Sequence, residues 1–340
     1  MKAPKAQRKR PLEETLVALR RVRERPDDEA SRAELSRVLR GEGSHAVARA
    51  ATLVGELELV PLVPELASSF PRFFGDLPRG DPGCAAKTAI VEALRRLGHE
   101  DAALYRRAAR HVQLEPVFGG RVDTAVDLRG SAALALGETG GRDVLVDLAE
   151  LLADPEPPVR ISAARALAAH GSESGIPLLH LKALSPEPEP RVLSECLLSL
   201  LRLDLAGQKA FVASFLDKSD ALAEASALAL GESRSSEAFA LLRDWLPQAA
   251  RRGLSRTAFI AIASLRRDEA IELLLAVVRE EPPPTARDAV QALSSLGAGE
   301  ALLERTRTAA ASRPELGPAL ARAFGRSERS NRPRSPGGSD

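Results

Sequence analysis

The apolar positions of this chain recur in blocks. Within each block, apolar and small residues stand three and four apart, the spacing of one helical face, and a large apolar residue closes the run. That closing position falls at Leu53, Leu94, Leu136, Leu167, Leu198, Leu230, Ile262, Leu293 and Phe324, at intervals of 41, 42, 31, 31, 32, 32, 31 and 31 residues. Self-similarity at such a period predicts a stacked array in which no single unit can bury its own apolar face.

The polar punctuation keeps the same register. Thirteen residues before the closing position stand Asp81, Asp123, Asp154, Ser185, Asp217 and Glu280, with Ala249 the exception. Pro82, Pro155 and Pro186 follow three of them, so a helix is predicted to start there, with the acid as its N-cap. Gly98, Gly140, Gly171 and Gly297, four residues after the closing position, supply helix stops. Each unit therefore reads as two helices. The first is Leu-rich, as in Leu145, Leu148, Leu151 and Leu152; the second is Ala-rich, as in Ala163, Ala164, Ala166 and Ala168. The expected fold is all-α, a right-handed α-solenoid of about nine to ten stacked antiparallel helix pairs.

The stretch DPEPPVRISAARALAAHG, residues 154–171, resembles HEAT-type repeats, in particular the short variety also found in phycobilisome lyases. Looser matches run from about residue 27 to 325. The resemblance implies an architecture and leaves activity open, because the family holds scaffolds, adaptors and a few enzymes. The predicted organisation is a disordered basic tail at 1–10, an array over 11–325 and a disordered tail at 326–340. Within the array, longer loop-bearing units lie at 58–122 and regular short ones at 123–325.

The two long units carry insertions at equivalent places, FPRFFGDLPRGDPG (70–83) and VQLEPVFGGRVDTAVD (112–127). Stacking is expected to set them side by side on one edge. Phe70, Phe73, Phe74 and Phe118 are four of the nine Phe of the protein, and Arg72, Arg79 and Arg121 accompany them. Aromatics with Arg are the residues that binding hot spots use. Phe70, Arg72, Phe73, Phe74, Phe118 and Arg121 are therefore the candidate partner-binding residues, against the alternative that the Phe rings fold back as a local core. A basic ladder, Lys87, Arg129, Arg160 and Arg191, stands seven before the closing position. It is read as structural, with Lys87, Arg129 and Arg160 pairing with Asp81, Asp123 and Asp154 to fix repeat register, each exposed pair contributing under about 1 kcal/mol. A groove for an acidic segment of another protein is the alternative.

Composition and charge narrow the function. Net charge is +1, but residues 1–25 carry +6 and residues 321–340 carry +3, which leaves the body at −8. That sign disfavours nucleic acid along the repeats; only the tails could take it. Aromatics are 3% of residues, too few to line a cofactor pocket. Cys84 and Cys196 are far apart and imply no disulfide framework, and no apolar run reaches membrane-spanning length. MKAPKAQRKR is followed by no hydrophobic region, so no secretory signal is expected and the cytoplasm is the default.

No metal, cofactor or catalytic residue is assigned. A di-iron hydroxylase of the HEAT type would need several His-Glu pairs, and the chain has one, His99-Glu100. No phosphate loop, nucleophile elbow or zinc-spaced Cys pair occurs. The expected function is a non-enzymatic protein–protein scaffold. The alternatives are a lyase-like or hydroxylase-like enzyme or subunit, and nucleic-acid binding through the tails.

Overall fold

A computed structural model of the chain describes residues 11–26, 28–75, 80–141, 143–297 and 299–330. The tails expected at 1–10 and 331–340, and Arg79 of the first insertion, lie outside the described residues. The chain divides into two compact units after Leu178.

The first unit holds α1 (Leu12–Val22), α2 (Glu29–Gly41), α3 (Ser44–Glu56), α4 (Val63–Ser69), α5 (Ala85–Arg96) and α6 (Ala102–Ala109). A hairpin of β1 (Leu114–Val117) and β2 (Gly120–Asp123) follows, then α7 (Val126–Thr139), α8 (Val144–Leu152) and α9 (Pro157–His170). The division falls inside α10 (Ile176–Leu184). The second unit continues with α11 (Pro190–Leu203), α12 (Leu205–Ala213), α13 (Asp220–Glu232), α14 (Ser236–Arg251) and α15 (Ser255–Ser264). It ends with α16 (Asp268–Glu280), α17 (Pro283–Ser294), α18 (Glu300–Ala309) and α19 (Gly317–Ser330), the last running past Gly325, where the sequence reading begins a tail.

The fold is all-α apart from the hairpin, and the repeat register holds in three dimensions. The closing residues from Leu53 to Phe324 are all buried, none more than 3% exposed. Each such Leu stabilises the stack by roughly 1.5–3 kcal/mol. In the first unit the second helices of the pairs pack in series, α3 on α5, α5 on α7 and α7 on α9; in the second, α11, which holds Leu where the others hold Ala, and α13, α15, α17 and α19 do the same. The first helices of the pairs, α2, α4, α6 and α8, and then α12, α14, α16 and α18, pack against that series.

Small residues set how closely the series packs. A Cβ on Gly137 would stand 2.5 Å from the backbone oxygen of Ala166, and one on Gly231 would stand 2.3 Å from that of Ala261. Those two glycines each follow the closing Leu of their helix, so the backbones of α7 and α9, and of α13 and α15, meet where a side chain has no room.

The helix stops are left-handed. Gly140 and Gly171 have φ of +74° and +71°. In α13 and α15 the same position holds arginine: Arg234 and Arg266 both have φ of +54°, a conformation that costs a residue with a Cβ roughly 1–2 kcal/mol.

Two expectations are corrected by the backbone. Asp123 and Asp154 are not the N-caps of α7 and α9, which start later, at Val126 and Pro157, whereas Asp81 opens the 3-10 turn Pro82–Cys84 that leads into α5. The Asp123 and Asp154 carboxylates instead fix the preceding turns, accepting from the N–H of Ala125 (2.9 Å) and Glu156 (2.9 Å), while the Asp81 carboxylate accepts from the N–H of Ala86 (2.9 Å) and Lys87 (3.1 Å) in the first turn of α5, as a cap does. The second insertion, read from sequence only as a longer loop, folds as a β-hairpin.

Candidate functional site

The two insertions meet. The first folds into a 3-10 turn, Phe70–Phe74, packed against α4 and α5. Phe70 and Phe73 are only 1% and 5% exposed. Phe74 stacks edge-on against Phe70 (4.8 Å) and against His111, at the start of the second insertion (4.9 Å). The Arg107 guanidinium lies 4.0 Å over the Phe74 ring. Arg72 donates to the carbonyl oxygens of Leu39 and Glu42, at the end of α2. Phe70 and Phe73 are therefore enclosed in the first unit as a local core, which corrects the partner-binding reading for these two, while Arg72 is exposed and held by its two carbonyl acceptors. Composition picks out the Phe but does not distinguish a ring turned inward from one turned out.

Beneath the insertions lies a closed set of buried polar groups. Lys87 on α5 and Asp81 are both fully buried and 3.2 Å apart. The Lys87 ammonium also donates to the Phe73 carbonyl (3.1 Å) and to Gln113 Oε1 (2.8 Å). Gln113 Nε2 donates to the Asp81 carbonyl (2.8 Å) and to Glu115 Oε1 (2.6 Å). That carboxylate further accepts from Gly83 N–H (2.7 Å) and Thr124 Oγ1 (2.9 Å). Every polar atom so enclosed finds a partner, the condition under which a buried charge is tolerated.

Arg129 on α7 locks the other side of the base. Its Nη1 donates to Asp123 Oδ2 (2.6 Å) and to the His111 carbonyl (3.1 Å). Its Nε and Nη2 grip the two oxygens of Asp154 at 2.8 and 3.1 Å. The pairs read from sequence, Lys87 with Asp81 and Arg129 with Asp123, form, but both cations are buried, so the weak surface-pair energy expected for them is replaced by the larger stakes of an enclosed charge. Arg160 donates to the carbonyls of Asp154 and Pro155, both at 2.8 Å. Arg191 departs from the ladder. It is exposed, and its side chain forms no ion pair among the described residues.

The electrostatics follow from this enclosure. Burial works to raise the Asp123 carboxyl, but the N–H groups of Ala125 and Gln113 and the Arg129 guanidinium outweigh it and hold the group below its ordinary value. Glu115 is held low by the hydrogen bonds of Gln113 and Gly83. Burial lowers His111. It also pushes the Cys84 thiol up to about 11, so that thiol stays protonated near neutral pH.

On this base the hairpin stands out from the helices. Its register pairs Leu114 with Asp123, Glu115 with Val122, Pro116 with Arg121 and Val117 with Gly120, leaving Phe118 and Gly119 as the turn. Gly119 has φ of +89°, which a residue with a side chain adopts only under strain. A lone two-stranded hairpin is marginal in water; here Gln113 and Thr124 tie its open end by N–H bonds to Asp123 and to the Gln113 carbonyl. Phe118 is 109% exposed, and Val112, Leu114, Val117 and Val122 are exposed with it. Arg121 is exposed too. A groove of about 480 Å³ runs beside the base, lined by Val112, Leu114, Leu151 and Pro155 with Arg110 and Glu150.

The sequence reading found Phe118 and Arg121 but missed Val112, Leu114, Val117 and Val122. The signal was available: β-branched residues on either side of a Phe-Gly-Gly turn form a hairpin pattern. Among the described residues, no group of three His, Cys, Asp or Glu could hold a metal ion. No described helix is long and apolar enough to cross a membrane.

The architecture defines a class, the helical-repeat proteins. Residues 121–201 match the family model of HEAT repeats, and this segment, from β2 through most of α11, is built of them. Solved structures similar to the chain include the complex of CpcE and CpcF of phycocyanin lyase from Nostoc sp. PCC7120, at 15% identity and a TM-score of 0.40, covering 87% of this chain and 98% of that one. Human deoxyhypusine hydroxylase is similar at 19% identity and a TM-score of 0.33, over 81% of this chain and 99% of that one. An engineered protein is similar at 14% identity and a TM-score of 0.29, over 87% and 98%. Comparison with curated proteins finds no match.

Proposed function

We propose that the chain is a non-enzymatic interaction scaffold whose first unit docks a partner protein through the β1–β2 hairpin. The observation that carries this reading is Phe118, a fully exposed aromatic at the tip of a hairpin whose base is fixed by buried ion pairs. An exposed aromatic on a mobile loop would lose ordering entropy on binding; one held in place has little left to lose. Phe118 would enter an apolar cleft of the partner, with Val117 and Val122 beside it and Arg121 orienting. The groove next to Leu114 would take a second apolar contact.

A catalytic role finds little to work with here. The Cys84 thiol is buried with its proton held, and the Lys87 ammonium is fully enclosed by its three partners. Nucleic acid is disfavoured as the partner of the repeat body by its charge of −8, the +1 of the chain less the +9 of its ends. A cytoplasmic setting is proposed with it, in line with two widely spaced cysteines and no disulfide framework in the sequence.

The test compares capture by the intact chain with capture by Phe118→Ser, followed by titration of the purified captured protein against both. A protein that binds the intact chain at least tenfold more tightly than the variant supports the reading. Equal affinity for both removes the hairpin from the function.

A further inference from the structure

We propose a second interaction surface, in the second unit, that takes an extended acidic segment of a partner protein along a row of three arginines. Arg202, Arg234 and Arg266 occupy one repeat position, four residues after the closing Leu198, Leu230 and Ile262, at the ends of α11, α13 and α15. All three are exposed, and together with Ser264, Ser295 and Leu296 they line one groove of about 500 Å³. One acid, Glu232, shares that groove, and Arg202 reaches Glu195 at 3.4 Å. Neither Arg234 nor Arg266 forms a side-chain ion pair among the described residues.

Backbone conformation makes this more than a charged edge. In four other repeats the position is Gly98, Gly140, Gly171 or Gly297, each left-handed, as a helix stop favours, while Leu57 after Leu53 is not left-handed. Arg234 and Arg266 adopt the same left-handed conformation with φ of +54°. Strain retained where glycine would relieve it points to a side chain that is wanted for itself. Service to the helix dipole does not account for it, because an arginine in the last right-handed turn supplies that interaction without strain.

The geometry selects the occupant. α11, α13 and α15 pack in series, and packed helices stand about 8–10 Å apart. An extended chain advances about 3.3 Å per residue, so a carboxylate at every third residue keeps step with the arginines. Guanidinium groups bind carboxylates through paired hydrogen bonds, which gives such a segment both charge and orientation.

The test uses the full chain and a fluorescent peptide with aspartate at every third position. Controls are a peptide of the same composition with its aspartates clustered, and one with asparagine in their place. The spaced peptide is expected to bind more tightly than either control, and less tightly as salt is raised. Arg234→Gly with Arg266→Gly is expected to weaken it at least tenfold while the melting temperature stays level or rises, since two strained positions are relieved. Unchanged affinity in that variant would overturn the proposal. So would equal binding of the spaced and clustered peptides, tighter binding of a single-stranded oligonucleotide than of the spaced peptide, or a fall in melting temperature, which would mark the arginines as structural stops.

Discussion

Arg129 on α7 and Asp154, in the turn before α9, hold each other through two parallel hydrogen bonds of 2.8 and 3.1 Å across a repeat boundary. Both side chains are buried, and the same guanidinium reaches back to Asp123 at 2.6 Å. One cation therefore ties the open end of the hairpin to the next repeat. Arg129→Met would leave two buried carboxylates without their cation, so a loss of about 3–5 kcal/mol is expected in urea unfolding. Arg129→Lys should recover only part of it, because an ammonium cannot reproduce the fork. A change below about 1 kcal/mol in the Met variant would place the pair among ordinary surface bridges.

The close approach of the Ala-rich helices gives a second prediction. Gly137→Ala and Gly231→Ala each drive a methyl into a backbone oxygen, of Ala166 and Ala261 respectively. Backbone cannot swing aside as a side chain does, so each is expected to destabilise by about 1–3 kcal/mol. Gly43→Ala, where an added Cβ meets nothing within 4 Å, is the control. Thermal unfolding of the three variants reads the difference directly.

Acid should loosen the hairpin base in two stages. His111 is lowered by burial, so below about pH 6.5 the unfolded chain takes its proton first and stability falls. Glu115 and Asp123 are also held low, so their stabilisation is present above about pH 4.5 and is lost as the pH falls through their folded values. All three act in the same direction, and the melting temperature should decline below neutrality with a steeper fall under about pH 4.5. His111→Phe, which keeps a ring against Phe74, should remove the upper stage and leave the lower one. An acid profile unchanged by that substitution would exclude His111 as the cause.

Much of the fold could be read from periodicity, and the residues show why. Leu136 and Leu167 lie one repeat apart, and a buried apolar position must recur wherever the same helix stacks again. The charges of Lys87 and Arg129 were visible as a ladder, but not their burial. That depends on Gln113 and Asp154, which reach them across the fold rather than along a helix. Phe70 and Phe118 look alike in composition, yet one is enclosed by the first insertion and the other stands at a turn in solvent. The hairpin signal around Phe118-Gly119-Gly120 is present but weak, because Pro116 interrupts its alternation and helical spacing governs the flanks on both sides.

Phe118 should matter to binding and not to folding. Its side chain has no burial to lose, so Phe118→Ala is expected to change stability by less than about 0.5 kcal/mol. Phe73→Ala, by contrast, empties a buried site and should cost about 3–5 kcal/mol. Chemical denaturation of the pair distinguishes the anchor from the core, and equal losses would contradict the assignment.

The central claim is that the hairpin tip is where a partner sits, and photo-crosslinking from that position tests it most directly. A photoreactive phenylalanine at position 118, with the same group at exposed Val146 on α8 as the control, is irradiated in the source cell. The account predicts a discrete protein adduct from position 118 that is absent from position 146. No adduct at 118, or the same adducts from both positions, would contradict it.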